Sequence, residues 1–119
     1  MDNMQNDITG GGTMMTSVVC LCGSTRFKAE FEHMAEILTL QGYEVLMPTF
    51  FSHNYGELYK LLNDQTKESL DELSHLRIMN SDVVFVINPG GYIGSSTKSE
   101  IAFAKRNEKP IYYLEELKE

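Results

Sequence analysis

Four short apolar runs, separated by longer amphipathic segments, define the pattern of hydrophobic and polar positions in this chain. Their length and aliphatic content fit strands that are buried on both faces of a sheet. The predicted strands are residues 17–22, 43–48, 82–88 and 111–114. Three helices are expected between them, in the segment from Arg26 to Gly42, over roughly 65–80 and over about 96–107.

The spacing of apolar residues predicts which side of each helix is buried. In the first helix, the residues expected to face the sheet are Phe27, Phe31, Met34 and Leu38. Ser24 or Thr25 is the expected N-cap, and Gly42 stands at the C′ position.

The second helix is expected to be capped by Asn63 or Asp64 and to bury Leu70, Leu73 and Leu76. Its polar residues include Asp71, Ser74, His75 and Arg77. Most of these should be solvated, although a few near the C-terminal end could reach the site.

The order β-α-β-α-β-α-β predicts an α/β domain with a parallel four-stranded sheet and helices on both faces. Right-handed crossovers favour the strand order 2-1-3-4 of flavodoxin-like, Rossmann-like folds. The first and third strands are then central neighbours. Their C-terminal loops should flank the switch point, where open α/β sheets bind ligands.

Composition fits one small domain, because the chain has 119 residues and 42% of them are apolar. We expect residues 17–119 to form this domain and residues 1–16 to be a disordered extension. The net charge of −7 argues against general binding to nucleic acids or membrane surfaces. No apolar run approaches the roughly 20 residues of a membrane span, and no secretory signal is recognisable, so a cytoplasmic protein is expected.

Cysteine and histidine positions give no sign of a metal or redox centre. Cys20 and Cys22 lie in one predicted strand and point the same way, a poor geometry for a disulfide, so we expect reduced core residues. His33, His53 and His75 are scattered without metal-ligand spacing. Neither a metal nor a cofactor is expected.

Two polar loops follow the central strands. The loop Gly23–Arg26 precedes a helix, whose free N–H groups and Arg26 could grip a phosphate. An ordinary capped helix with a solvated arginine is the alternative. The loop of residues 89–97 contains glycines that permit close approach of a ligand, followed by hydroxyl groups at another helix start. Glu100 adds a carboxylate.

A carboxylate beside polar sugar-binding groups suits chemistry at an anomeric carbon, which it can attack or stabilise as an oxocarbenium-like centre. Walker, Gly-x-Gly-x-x-Gly and Gly-x-Ser-x-Gly motifs are absent. However, Thr97-Lys98-Ser99-Glu100 also has the spacing of a capping box, so Glu100 is either a cap or a catalytic group. The aromatic segment 49–63 is either a hydrophobic flap, which we favour, or a lid that stacks on a base.

The two loops carry a resemblance to a known family. Cys22-Gly23-Ser24-Thr25-Arg26 resembles the Cys-Gly-Ser-x-Arg of the 2′-deoxynucleoside 5′-monophosphate N-glycosidases. The stretch from Ser81-Asp82-Val83-Val84 to Glu100 resembles the third strand and catalytic glutamate of that family. These enzymes belong to the nucleoside 2-deoxyribosyltransferase superfamily, and the resemblance extends to its small bacterial members over residues 17–114. Residues 89–100 also resemble the glycine-rich motif of cytokinin riboside phosphate phosphoribohydrolases, with extra residues before the glutamate.

The resemblance implies that Glu100 is a nucleophile forming a deoxyribosyl-enzyme intermediate. It implies that Ser24, Thr25 and Arg26 hold the 5′-phosphate, that Ser95 and Ser96 contact phosphate or sugar, and that the protein is a homodimer. The family has an aspartate upstream of the nucleophile that acts on the leaving base, and this chain has no aspartate at that position. That position falls at Ser74 or His75, with Asp71 one helical turn away.

We therefore expect N-glycosidic cleavage or base exchange on a nucleotide or nucleoside, as a hydrolase or transferase. The alternative is a non-catalytic module that binds a nucleotide in the same crevice. The expected catalytic residues are Glu100, His75 and Asp71. The expected binding residues are Gly23, Ser24, Thr25, Arg26, Asn88, Gly91, Tyr92, Gly94, Ser95, Ser96 and Thr97.

Overall fold

The computed structural model describes residues 17–51 and 64–117. The expected disorder of residues 1–16 lies outside these ranges, as do His53 and most of the aromatic segment. The predicted cap Asn63 is also outside them.

The described residues form four strands and three α-helices in the predicted order. Each strand is slightly shorter than, or shifted by one residue from, its apolar run. The elements are β1 (Val18–Gly23), α1 (Lys28–Leu40), β2 (Glu44–Leu46), α2 (Asp64–Met79), β3 (Val83–Ile87), α3 (Ser95–Arg106) and β4 (Ile111–Tyr113).

All strand pairs in the sheet are parallel, and the order is β2-β1-β3-β4, as predicted. In the central pair, Val19 is opposite Val83 and Gly23 is opposite Ile87. The two central strands therefore end at the same level, and the loops that follow them meet at one edge of the sheet.

Helices cover both faces of the sheet, because the strand residues alternate between two cores. On one face, Leu21 and Phe85 pack with Phe31 and Leu38 of α1. On the other face, residues from β1 and β3 pack with α2 and α3: Cys20, Cys22, Val84, Val86, Ile78, Ile101 and Ala104.

The cysteines are free, buried thiols, as expected, with their sulfur atoms 3.9 Å apart. The hydrogen bond with Cys20, together with burial, raises the pKa of Cys22 well above its ordinary value. A protonated, buried thiol is chemically inert.

Gly42 ends α1 as predicted. It adopts a φ of +94°, and the N–H groups of Gly42 and Tyr43 donate to the carbonyls of Thr39 and Leu38, both at 3.0 Å. This is a Schellman motif, whose C′ residue favours glycine.

The predicted cap of α1 at Ser24 or Thr25 is wrong. The residues from Ser24 to Phe27 form a separate turn, closed by the Phe27 N–H donating to the Ser24 carbonyl at 3.1 Å. The helix begins only at Lys28, and the N-cap is Phe27, whose side chain makes no capping hydrogen bond.

The predicted buried side of α2 is also wrong at two positions. Leu73 and Leu76 are 49% and 58% exposed, whereas Ser74 and Ile78 are buried. The buried residues are Ser74 and Ile78, which are four residues apart, and Leu70, one helical turn before Ser74, is partly buried. None of the helices in the described parts of the chain is long and apolar enough to cross a membrane.

Candidate functional site

An open cleft of about 590 Å³ lies over the carboxyl ends of β1 and β3. It is bounded by the loop after β1, the loop and helix after β3, and one side of α2. This is the switch point of the parallel sheet, where the sequence predicted a site.

Gly23 allows the floor of the cleft to form. A Cβ atom at this position would lie 2.6 Å from the carbonyl oxygen of Ile87 and 3.3 Å from Cζ of Phe31. The end of β1 therefore lies too close to β3 for any side chain, and the following loop leaves the sheet directly into the cleft.

Arg26 is held in place by two neighbours. Its Nε donates to Oγ of Ser24 at 3.2 Å, and its guanidinium lies 4.4 Å from the centroid of the Tyr92 ring. Tyr92 also packs edge-on against Phe27, with ring centroids 5.9 Å apart. A cation from the first loop is thus stacked on an aromatic ring from the second, which restricts its rotamers at the rim of the cleft.

The start of the second loop is tied to the C-terminal segment and not to the cleft. The Asn88 side chain is fully buried, donates to the Glu115 carbonyl at 2.9 Å and accepts from the Glu115 N–H at 2.9 Å. Gly91 lies in the adjoining 3₁₀ turn, Pro89–Gly91, where Gly90 donates its N–H to the Glu115 carboxylate. Asn88 and Gly91 were predicted to bind ligand. Neither residue lines the cleft, and both lie in the segment that leads to Tyr92.

Helix α3 begins at the cleft. Gly94 is its N-cap, and Ser95, Ser96 and Thr97 form its first turn. The first N–H groups of a helix have no partner within it, so this end of α3 can bind an anion or a sugar hydroxyl.

Glu100 lies in the second turn of α3, so the capping-box interpretation is wrong. Because the helix begins at Ser95 and its N-cap is Gly94, Thr97 is already the third helical residue. The carboxylate of Glu100 accepts a hydrogen bond from the Ser74 hydroxyl of α2 and lines the cleft.

The surroundings of Glu100 act on its charge in opposite directions. Burial raises the pKa of the carboxyl above its ordinary value, while the hydrogen bond from Ser74 and the charge of Arg77 oppose this rise. Asp71 adds a smaller contribution that raises the pKa. The carboxylate is therefore partly desolvated but has a donor and a cation nearby, which is the environment of a reactive carboxylate.

One side of α2 forms the wall opposite the loops, which the sequence indicated only in part. The residues of α2 that line the cleft recur at helical spacing: Lys67, Leu70, Asp71, Leu73, Ser74 and Arg77. Asp71 was predicted. The spacing of Lys67, Asp71, Ser74 and Arg77 places polar side chains on one stripe, a signal that the prediction of a leucine-lined buried side obscured.

His75 is not part of the cleft. Its ring stacks on Phe103 of α3, with centroids 4.0 Å apart and an interplanar angle of 3°. It lies one residue beyond Ser74 on the helix, and this 100° rotation directs it to a different neighbour. The predicted catalytic role of His75 is therefore not supported by its placement.

The cleft brings together most of the predicted site residues. Those that line it are Gly23, Ser24, Thr25, Arg26, Asp71, Tyr92, Gly94, Ser95, Ser96, Thr97 and Glu100. Pro48, Thr49 and Phe50, which follow β2, also line it. Pro48 was not predicted to bind ligand, whereas Thr49 and Phe50 begin the aromatic segment for which a flap or a lid was predicted.

No group of His, Cys, Asp and Glu side chains in the described ranges could hold a metal ion. The cleft contains a cation with hydroxyl groups on one loop, a helix N-terminus after the other loop, and a half-buried carboxylate. Such a cleft can bind a phosphorylated sugar and present a carboxylate to one of its carbon atoms.

Comparisons with models of protein families, with curated proteins and with solved structures give no significant match for this chain.

Proposed function

We propose that this protein cleaves the N-glycosidic bond of a nucleotide or nucleoside, by hydrolysis or by base exchange, with Glu100 as the nucleophile at C1′. The observation that carries the proposal is the position of Glu100. Its carboxylate lines the same cleft as the Gly23–Arg26 loop and the N-terminal turn of α3.

The anion-binding groups support a 5′-phosphate as the handle of the substrate. Arg26 is pre-oriented by Ser24 and Tyr92, and hydrogen bonds from a guanidinium to phosphate are among the strong ones. The net charge of the protein is −7, so the positive charge of Arg26 at the rim of the cleft is a local exception in an acidic protein.

The chemistry requires an ionised carboxylate next to the sugar. In the proposed step, one oxygen of Glu100 bonds to C1′ as the bond from C1′ to the base nitrogen breaks. The base keeps the electron pair and takes a proton from solvent. Water then releases the sugar, or a second base accepts it. Arg77 and Ser74 favour the ionised carboxylate that this step needs.

Asp71 is the best candidate for the group that contacts the departing base. It lines the cleft on the same stripe of α2 as Ser74, and its charge reaches Glu100. The family that the sequence resembles has an aspartate in this region, and Asp71 takes its place here more readily than His75.

The second candidate is a module that binds a nucleotide without turnover. It is favoured by the serine, in place of an aspartate, that contacts Glu100. Incubation with a panel of deoxynucleoside monophosphates, scored for free base, separates the two functions. Free base from at least one member supports the enzyme, while saturable binding without release supports the module.

We further propose a cytoplasmic homodimer. Leu73, Leu76 and Met79 are each about half exposed on α2 and form an apolar stripe that begins at the edge of the cleft. Two-fold pairing is the commonest assembly of such domains. A monomer mass by light scattering at micromolar concentration would exclude the dimer.

A further inference from the structure

Ser74 is a buried polar residue in a position that otherwise suits an aliphatic side chain. It lies one helical turn from the partly buried Leu70 and one turn from the buried Ile78, and only 6% of its surface is exposed. A hydroxyl in such a position is costly unless it has a hydrogen-bond partner. Its partner is the Glu100 carboxylate.

The hydrogen bond joins two different helices. Ser74 belongs to α2 and Glu100 to α3, and the two helices pack against each other on one face of the sheet. A glutamate side chain has several rotatable bonds, and its helix alone does not fix where the carboxylate points. A donor on the neighbouring helix supplies that restraint.

We propose that Ser74 is a positioning residue, whose hydroxyl holds Oε2 of Glu100 so that Oε1 is directed at the ligand in the cleft. The catalytic consequence of this assignment rests on the proposed function. The hydrogen bond and its effect on the titration of Glu100 do not.

The role of Ser74 can be measured through the pKa of Glu100, which depends on the charged and titratable groups around this carboxyl. From α2, the negative charge of Asp71 raises the pKa of Glu100 and the positive charge of Arg77 lowers it. From β1, the Cys22 thiol lies close enough for the Glu100 charge to raise its pKa. The hydrogen bond from Ser74 lowers the pKa of Glu100, against burial. Loss of this donor should therefore raise the pKa of Glu100.

The experiment follows the carboxyl carbon of Glu100 by ¹³C NMR during a pH titration, in the parent and in Ser74→Ala and Ser74→Cys. Cysteine keeps the approximate volume of serine but is a weak donor, so it also covers the case in which the alanine variant folds poorly. Both variants should titrate at higher pH than the parent. Ser74→Thr, which keeps the hydroxyl, should restore most of the parent titration.

Ser81→Ala is the matched control. Ser81 is also a buried serine, and its hydroxyl donates to the Ile78 carbonyl at 2.7 Å, but it precedes β3 at the opposite end of the sheet from the cleft. It should lower stability by a similar amount without moving the Glu100 titration. If the role of Ser74 were purely structural, Ser74→Ala and Ser81→Ala would both leave the Glu100 titration unchanged.

The kinetic test compares the effect of Ser74→Ala on kcat with its effect on KM. A misdirected nucleophile should lower kcat by about 10- to 100-fold in Ser74→Ala and change KM less, with the acidic limb of the rate profile moved to higher pH. Unchanged Glu100 titration in both Ser74→Ala and Ser74→Cys would overturn the proposal, even in an active enzyme. A raised pKa in a protein without base release would support the positioning role and count against the proposed function alone.

Discussion

The guanidinium of Arg26 lies 4.4 Å from the centroid of the Tyr92 ring, so the loop after β1 and the loop after β3 are joined by a cation–π contact across the cleft. The contact does not use the N–H groups of the arginine that would bind phosphate. A cation–π contact consumes no N–H hydrogen bond, so Arg26 can stay beside the ring and still donate to a phosphate.

Arg26→Ala should weaken the binding of a nucleoside 5′-monophosphate by about 1.5–3 kcal/mol, the range for a hydrogen bond to a charged group. Binding of the matching nucleoside, which has no phosphate, should change little. Calorimetric titration of both ligands measures the difference. Arg106→Ala is the control, because Arg106 also lies near an aromatic ring, 5.9 Å from the centroid of Phe103, but outside the cleft. Equal affinity of the parent for nucleoside and nucleotide would contradict the phosphate site.

Tyr92→Ala should weaken nucleotide binding by about 0.5–1 kcal/mol, the value of a cation–π contact at an exposed site, because Arg26 would lose its platform. Tyr92→Phe keeps the ring and should bind nearly as well as the parent. The same titration compares the two variants. If the phenylalanine variant binds as poorly as the alanine variant, the Tyr92 hydroxyl contacts the ligand and the ring is not the important group.

Glu100→Gln should reduce base release by several orders of magnitude, because glutamine cannot form the glycosyl ester. Its amide oxygen can still accept the hydrogen bond from Ser74, and Glu100 does not cap α3, so folding and nucleotide binding should survive. Base release is measured by chromatography. Glu72→Gln, on an exposed part of α2 that does not line the cleft, is the matched control. Base release by Glu100→Gln at the parent rate would remove Glu100 from the mechanism.

Gly23→Ala should destabilise the protein by about 1–3 kcal/mol, the usual cost of overpacking a well-packed interior. The new Cβ would lie 2.6 Å from the carbonyl oxygen of Ile87, which is backbone and cannot move aside. Gly94→Ala is the comparison, because its Cβ would approach the movable end of the Tyr92 side chain at 3.2 Å. Urea unfolding of both variants should show the larger loss for Gly23→Ala. Equal losses would mean that the contact with Ile87 does not limit this position.

The strand order and the location of the cleft could be predicted because both follow from the order of strands and helices along the chain, which the sequence pattern shows. Four apolar runs require a doubly covered sheet, and the loops after Gly23 and Ile87 then meet at the switch point. Most residues of these loops line the cleft. A loop of only a few residues stays close to the end of the central strand that it leaves.

The structure departs from the expected placement at side chains that have more than one possible tertiary partner. Asn88 directly follows β3, yet its amide pairs with the backbone of Glu115, since a buried amide must satisfy both its donor and its acceptor. His75 stacks on Phe103, and Leu73 and Leu76 of α2 are exposed where they were expected to be buried. Side-chain direction on a helix depends on the tertiary partner, which local spacing does not identify.

The titration of Glu100 predicts how stability should vary with pH. Burial raises the pKa of this carboxyl in the folded protein above its ordinary value, which is about 4.3 in an unfolded chain. Between these two pKa values the native state binds more protons at this site than the unfolded state, so the free energy of unfolding falls as pH rises. The contribution is complete below the unfolded pKa and is lost once pH exceeds the folded pKa. Glu100→Gln lacks this carboxyl, so its free energy of unfolding lacks this pH-dependent contribution.

The expected outcome is that Glu100→Gln gains stability relative to the parent as pH rises above the ordinary glutamate pKa of about 4.3, until the folded carboxyl is fully ionised. Urea unfolding at several pH values in this interval gives the difference between the two proteins, in which the other carboxylates cancel. Glu72→Gln, at an exposed position of α2 that does not line the cleft, is the matched control. If instead the relative stability of Glu100→Gln falls as pH rises, the ionised form of Glu100 is favoured by folding. Ser74 and Arg77 would then outweigh burial, and the carboxylate would be held in the charged state at all pH values where a nucleophile is needed.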